Sequence, residues 1–403
     1  MSNTQKKNVP ELRFPEFEGE WEEKKLGENA IIKGRLGWKG LKQSEYLEKG
    51  YAYLIANKHI NSGHINWEKA DQISRYRYEE SPEIALEKGD LIFSKDGALG
   101  NPALINNLTK PATINSTMML VRLDQKNFSS IFFYQILLGP LFNKLIYLKV
   151  SGSSIPHLFQ ADMKEFKFNA PPLIEQQKIG KFFSKLDQQI ELEEQKLELL
   201  QQQKKGYMQK IFSQELRFKD ENGNDYPDWT NERLGEVTTV TMGQSPKSVN
   251  YTDNSNDTVL IQGNADIENG LINPRIYTRE VTKLIQKDEI ILTVRAPVGK
   301  LAMAQINACI GRGVCSIKGD KFLYYFLEWF ATQNKWIRFS QGSTFESISG
   351  NDIRNIHIKI PVEDERTKII KLLNSLDVLN SKTDLKIQNL KQRKKSLLQK
   401  LFI

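Results

Sequence analysis

The chain repeats itself. Residues 11–21, "ELRFPEFEGEW", are answered by 215–229, "ELRFKDENGNDYPDW", and a basic–Leu–Gly–Glu phrase follows each, "KKLGE" at 24–28 and "RLGE" at 233–236. Slid against itself, the sequence places Trp21 on Trp229 and Leu26 on Leu234 at an offset of 208. "GHIN" (63–66) then falls on "GLIN" (270–273) at 207, "KGDLIFSKDGALG" (88–100) on "KDEIILTVRAPVG" (287–299) at 199, and "SGSSIPHLFQADMKEF" (151–166) on "QGSTFESISGNDIRNI" (341–356) at 190. That last register continues without a gap. Pro171 meets Pro361, Glu175 meets Glu365, Asp187 meets Asp377, and Lys204-Lys205 meet Lys394-Lys395. Five blocks in order, separated by loop-sized indels, exclude chance. A period of about 200 residues is far beyond that of a solenoid. It marks two copies of a domain-sized unit, as a 403-residue chain with at least two cores requires.

The first three quarters of each unit read as strands. "YAYLIA" (51–56) and "TVLIQG" (258–263), then "DLIFS" (90–94) and "EIILTV" (289–294), carry the β-branched and aromatic content of strands between Gly and Asn punctuation. A helix follows at about 128–148 and 321–338. The apolar stretch 131–148 is broken by Gly139, Pro140, Asn143 and Lys144, which predicts a buried helix or helix pair and not a membrane span. Each unit is an α+β domain.

The last quarter differs. Pro171-Pro172 and Pro361 stand where a helix begins, at positions that need no N–H donor. Apolar residues then recur at 3-4 spacing for about five heptads, through Ile179, Phe183, Leu186 and Ile190 in one copy and Ile369, Leu373, Leu376 and Ile387 in the other. Each helix of about 40 residues spans roughly 60 Å, too long to fold against one small domain. We therefore divide the chain into a first recognition domain (1–170), a central long helix (171–212), a second recognition domain (213–360) and a C-terminal long helix (361–403). The second domain starts almost where the first helix stops. Burying both seams makes the helices antiparallel, a coiled coil holding two similar domains apart about a pseudo-two-fold axis. Polar seam residues Lys204, Lys394 and Asn380 either fix the register or lie at solvated positions.

Composition bounds the function. Hydrophobic residues make up 39%, enough for real cores, and the net charge of +8 suits an anionic partner. Most of that charge lies in 365–403, with ten Lys or Arg against three Asp or Glu. The polar N-terminus carries no signal-peptide pattern. Cys309 and Cys315, six apart without a nearby histidine, read as free thiols in a reducing cytoplasm. No phosphate-binding Gly-Lys-Ser/Thr loop occurs, and His59, His64, His157 and His357 show no metal-ligand spacing. "NAPPL" (169–173) superficially resembles the Asn-Pro-Pro-aromatic signature of adenine methyltransferases, but Ala170 interrupts it and Leu173 replaces the aromatic. It is a helix start.

The "LRFPEFEGEW…KKLGE" opening, the "KGDLIFSKDGALG" and "SGSSIPHLFQADMKEF" blocks and the "PPLIEQQKI" helix start together resemble the specificity subunit of type I restriction–modification enzymes, over nearly the whole chain. The second copy departs from the pattern at "IPVEDERTKI", where one proline and both glutamines are gone. The resemblance implies a non-catalytic chain. Each α+β unit would be a target recognition domain reading half of a split sequence in double-stranded DNA, with the spacing set by the helices. The partners would be two methylation (M) subunits and the restriction (R) subunits, with no membrane. The chain itself would bind no cofactor; S-adenosylmethionine would sit on the methylation subunits, and ATP and Mg on the restriction subunits. A duplicated coiled-coil adaptor whose domains bind proteins is the competing reading.

Phosphate contact calls for Lys, Arg, hydroxyls and amides; base reading calls for Arg, Asn, Gln and sometimes Lys. Lys33, Arg35 and Lys39, with Trp38, precede the strand at 51–56, and Lys247, with Gln244 and Ser245, answers them in the second copy. Asn57, Lys58 and His59 follow that strand, answered by Gln262 and Asn264. Arg75 and Arg77 alternate with tyrosines in "RYRY", answered by Arg275 and Arg279 in "RIYTR"; a strand's wet and dry faces would give the same alternation. Lys95 and Arg295 are read as matching strand ends. Ser153 and Ser154, and Ser343 and Thr344, offer hydroxyls in matching Gly-bearing loops. The basic face of the C-terminal helix is left open to a protein partner, the restriction subunit or the DNA spacer.

Overall fold

The computed structural model describes residues 8–37, 40–151, 156–336 and 347–402. The chain forms two compact units, Met1–Glu194 with Leu385–Ile403, and Gln195–Asp384. Both long helices are present, Leu173–Phe212 and Glu363–Leu401, and each contributes one stretch to either unit.

In the first unit, a four-stranded antiparallel sheet runs in the order Ala30–Lys33, Met118–Leu123, Leu91–Ser94, Gly100–Leu104. A second sheet places Ala52–Ile55 between Asp71–Ile73 and Ala112–Ile114. The strand Glu22–Lys25, supplied by the repeated opening, pairs with Lys167–Ala170 just ahead of the long helix. The apolar stretch is the expected helix pair, Ser130–Leu138 and Pro140–Ser151, with Phe132, Phe133 and Phe142 buried. Its break falls at Gly139-Pro140, and Ser129 caps the start by accepting from the Phe132 N–H. No single helix among the described residues is long and apolar enough to cross a membrane.

Gly180 sits within the first long helix, where helix Ser130–Leu138 comes close. A Cβ there would lie 3.1 Å from both the Ile131 Cγ2 and the Phe132 backbone N, so the glycine admits the contact. The C-terminal residues return to this unit's core. Phe402 is 2% exposed and packs on Phe132 at 5.4 Å between ring centroids, a burial worth about 2 kcal/mol. Within the unit, Glu194 pairs with Lys391 and Asp187 with Lys394, so the two helical stretches run antiparallel.

The second unit rebuilds the frame. Its larger sheet begins Val240–Met242, Val314–Ile317, Ile290–Thr293, Leu301–Met303, the order seen in the first unit. Thr258–Ile261 lies parallel to Ala308–Ile310, as Ala52–Ile55 lies parallel to Ala112–Ile114. Thr230–Arg233 pairs with His357–Ile360 ahead of the second long helix. Helix Lys321–Thr332, capped by Asp320, buries Phe322, Tyr325 and Phe326 against Met208, Ile211 and Ile369 from the two long helices.

Lys204 and Lys394 hold register. Lys204 Nζ lies 2.7 Å from Asp377 and 2.8 Å from Glu328 within the second unit, and Lys394 lies 2.5 Å from Asp187 within the first. These are the same pair built twice, because Asp187 and Asp377 are repeat equivalents. Asn380 differs: its Oδ1 is buried without a hydrogen-bond partner among the described residues.

Candidate nucleic-acid interface

Backbone hydrogen bonds define the equivalences between the two units better than residue types do. Asn115 N donates to Ile55 O, and Gly311 N to Ile261 O; Lys95 N donates to Thr117 O, and Val294 N to Gly313 O. Lys95 is therefore the counterpart of buried Val294, and Arg295 is the counterpart of Asp96. The bridges Asp96–His157 and Arg295–Ser347 confirm the register. Lys95 and Arg295 do not occupy matching positions. One site holds an acid where the other holds a guanidinium.

The first unit's cationic residues are largely engaged internally. Arg35 is 4% exposed; its Nε donates to Ile114 O at 3.0 Å, and its two terminal nitrogens donate to the Ser81 and Thr113 hydroxyls at 3.2 Å. Burial, and then the nearby Arg77 charge, lower its pKa. This is a core clamp, and the base-reading role expected for it does not fit its geometry. His59 is 2% exposed, and its Nδ1 accepts from the Ala56 N–H at 3.0 Å, while burial lowers its pKa. Asp266 caps the equivalent turn of the second unit by accepting from the Gln262 and Gly263 N–H groups. His59 is thus a turn cap and not a contact residue.

Lys58 is exposed but pairs with Asp71 at 2.8 Å, and Asn57 accepts from the Asn101 amide at 2.7 Å. "RYRY" forms the short helix Arg75–Glu79, in which Arg75 pairs with Glu79 at 2.6 Å and Arg77 with Glu45 at 2.9 Å. "RIYTR" holds the strand Tyr277–Thr278, and Ile73 and Thr278 occupy the same place. The two Arg–Tyr segments are therefore not equivalents. Lys33 is exposed at the end of its strand. Lys95 lines a concavity of about 370 Å³ with Arg35 and His157, and lies 3.3 Å from Asp96, which also pairs with His157.

The second unit is different in kind. Gln262, Asn264 and Arg295 line one pocket of about 250 Å³, together with Ser245, Arg312 and Gly313. No carboxylate lines it among the described residues. Arg295 and Arg312 are exposed and make no ion pair among the described residues. Gln262 has no counterpart in the first unit, since a one-residue insertion separates Ile261 from the turn that follows. Lys247 is exposed beside Glu280, to which its backbone N–H donates; Arg275 is exposed; Arg279 lies 3.7 Å from Asp257. Lys39, Ser153, Ser154, Ser343 and Thr344 lie outside the described residues, as does Trp38.

Arg312 escaped the sequence reading. Its signal was available in "IGRGV" (310–314), a cation between two glycines in a turn that joins buried strands.

The family pattern "Type I restriction modification DNA specificity domain" matches this chain twice, at 18–202 and at 226–392. The chain belongs to that family of DNA specificity proteins. The putative type I restriction enzyme MjaX specificity subunit of Methanocaldococcus jannaschii is 28% identical over 338 residues, 79% of either chain. The type I restriction enzyme MjaVIII specificity subunit of the same organism is 26% identical over 400 residues, 93% of this chain and 89% of the relative. Among solved structures, the type I restriction–modification S subunit from M. genitalium superposes with a TM-score of 0.62 at 18% identity, covering 98% of this chain and 99% of that one. A chain from a type I R-M system studied for complex assembly and conformational transition gives 0.59 at 22%, covering 94% and 96%. The fold of this specificity protein is the one these structures share. The protein-binding adaptor reading is not favoured.

Proposed function

We propose that this specificity protein reads a split DNA sequence, one half-site per recognition domain, and catalyses nothing itself. The observation that carries this reading is one frame holding two different sets of side chains at the same backbone positions: Asp96 against Arg295, Ser116 against Arg312, and Gln262 with no counterpart. A retained frame with exchanged tips is what two readers of unlike half-sites require, because bases are distinguished by donors and acceptors at a few fixed points. The long helices set the separation of the half-sites. Two methylation subunits would supply S-adenosylmethionine and adenine methylation, and restriction subunits would supply ATP- and Mg-dependent cleavage. The buried free thiols of Cys309 and Cys315, the latter pushed up to about 12 by burial, suit a reducing cytoplasm.

Long-read methylome sequencing of the host with and without the gene tests this. Deletion is expected to erase one split adenine motif. A host with working partner subunits that loses no motif would refute the assignment.

A further inference from the structure

Among the described residues, the pocket of the second unit is lined by two guanidiniums, two carboxamides and no acid, and Arg312 rises from a backbone held on both sides. The backbone on either side of Arg312 is pinned. Gly311 N donates to Ile261 O at 2.8 Å, and the Arg312 N–H donates to the Ser245 hydroxyl at 3.1 Å. A Cβ on Gly313 would stand 1.9 Å from the Gln262 carbonyl oxygen, and one on Gly243 would stand 2.1 Å from the Gly311 carbonyl oxygen. Two glycines therefore let the strand ends around residues 243, 262 and 312 close on one another. The Arg312 side chain leaves this stiff cradle exposed, beside Arg295, Gln262 and Asn264.

A guanidinium needs acceptors, and the described residues that line the pocket supply none that is charged. Phosphate would fill that need, but phosphate contact asks only for a cation on an accessible surface. A concave site that adds Gln262 and Asn264 amides to a guanidinium fork carried on a held backbone fits the edge of a base. Guanine presents two acceptors in the major groove, O6 and N7, matching the fork of an arginine; adenine and thymine present one each there, and cytosine presents a donor. In the first unit the equivalent positions are Ser116 and Asp96, so this pocket chemistry belongs to one half-site alone.

We propose that Arg312 determines specificity for a guanine in the half-site read by the second domain, with its guanidinium facing O6 and N7 from the pocket it shares with Arg295, Gln262 and Asn264. The proposal rests on the DNA-reading function above. The test uses the full chain assembled with its partner subunits, and competition binding to duplexes carrying the methylated motif. Arg312→Ala is expected to reduce the preference for guanine over adenine at one position of one half-site by about ten- to a hundred-fold. The dependence of affinity on salt should stay unchanged. Arg312→Lys keeps the charge and a donor for O6 and N7 without the planar fork, and should retain part of the preference that Arg312→Ala loses. Replacing that guanine by 7-deazaguanine, which lacks the N7 acceptor, should weaken binding of the unsubstituted protein and leave the Arg312→Ala protein unaffected.

A uniform loss across all sequences with a shallower salt slope would mark a phosphate contact and overturn the proposal. So would unchanged selectivity, or the absence of guanine from the affected half. If the unsubstituted protein bound every duplex alike, the DNA-reading function itself would fall, which is a different result from the other three.

Discussion

Arg13 and Glu175 are 162 residues apart and form a two-pronged ion pair, with Nε donating at 2.8 Å and the terminal nitrogen at 2.7 Å to a carboxylate that is fully buried. Arg217 and Glu365 repeat it at 3.2 and 2.7 Å. The arginine comes from the "ELRF" phrase and the glutamate from the first turn of a long helix. The phrase occurs twice because each unit must fasten its opening segment to its own helix start. The Glu175 side-chain hydrogen bond raises the pKa of Arg13, and Glu365 does the same for Arg217. Glu365 carries more, since it also accepts from the Trp229 indole at 2.9 Å, whereas the Trp21 indole N–H has no partner among the described residues. Arg217→Ala should cost about 3 kcal/mol by leaving that carboxylate buried without its cation. Glu365→Gln should reduce hydrogen-exchange protection of its unit more than Glu175→Gln does of the other. Equal losses would mean that the indole contact adds nothing.

Much of this architecture was legible in the sequence, because duplication, heptad spacing and proline-marked helix starts are local or periodic signals. The helix pair at 130–151 could be read from Gly139-Pro140 alone. The site was read less well. Arg35 is indistinguishable from a surface arginine until Ser81 and Thr113 come together around it. His59 is a cap because of the turn it closes, and Asp266 does the same work with unrelated chemistry. Charge alone pairs Lys95 with Arg295, whereas the 199 offset and the backbone both pair Arg295 with Asp96. One-residue insertions such as that at Gln262 are invisible without the hydrogen bonds around them.

Arg35 provides a direct contrast between clamp and reader. Arg35→Met removes the donors to the Ile114 carbonyl and to the buried Ser81 and Thr113 hydroxyls. Stranded buried acceptors cost about 1–3 kcal/mol each, so thermal denaturation should show a marked loss of stability. The methylated motif should remain the same wherever the protein still folds. A relaxed motif at unchanged stability would return Arg35 to the contact set.

Lys204 predicts an alkaline signature. Burial opposes its charge, but Glu328 and Asp377 outweigh burial and hold its pKa above the 10.5 of an ordinary lysine. Burial in turn pushes the Glu328 carboxyl above its usual range against the pull of Lys204. A lysine with a raised folded-state pKa stabilises the fold fully below its unfolded value and loses that contribution as pH rises through the folded value. Lys204→Met should therefore lower unfolding free energy by about 2 kcal/mol at neutral pH. In urea titrations the gap between the two proteins should persist to pH 10.5 and close above it. A gap that grew with pH would contradict the assignment.

Gly313→Ala tests the cradle without replacing a polar side chain. Its new methyl would meet the Gln262 carbonyl oxygen at 1.9 Å and must push the backbone aside. Overpacking of this kind costs about 1–3 kcal/mol. Hydrogen exchange should report loosening around residues 261–263 and 311–314, with recognition of one half-site weakened and the other untouched. Intact recognition of both halves would show that the pocket tolerates the displacement and contributes little to reading.

The long helices make a prediction about length. If they set the distance between half-sites, that distance must follow the number of residues they contain. Four residues inserted into both, between residues 194 and 195 and between 384 and 385, fall where the compact units divide and leave the Asp187–Lys394 and Asp377–Lys204 pairs intact. At 1.5 Å per residue they add about 6 Å, close to two base pairs at roughly 3.4 Å each. Methylome sequencing of a host carrying this variant should show the same two half-sites with a spacer longer by about two base pairs. Removing four residues should shorten it. A spacer indifferent to both changes would mean that something other than helix length measures the DNA.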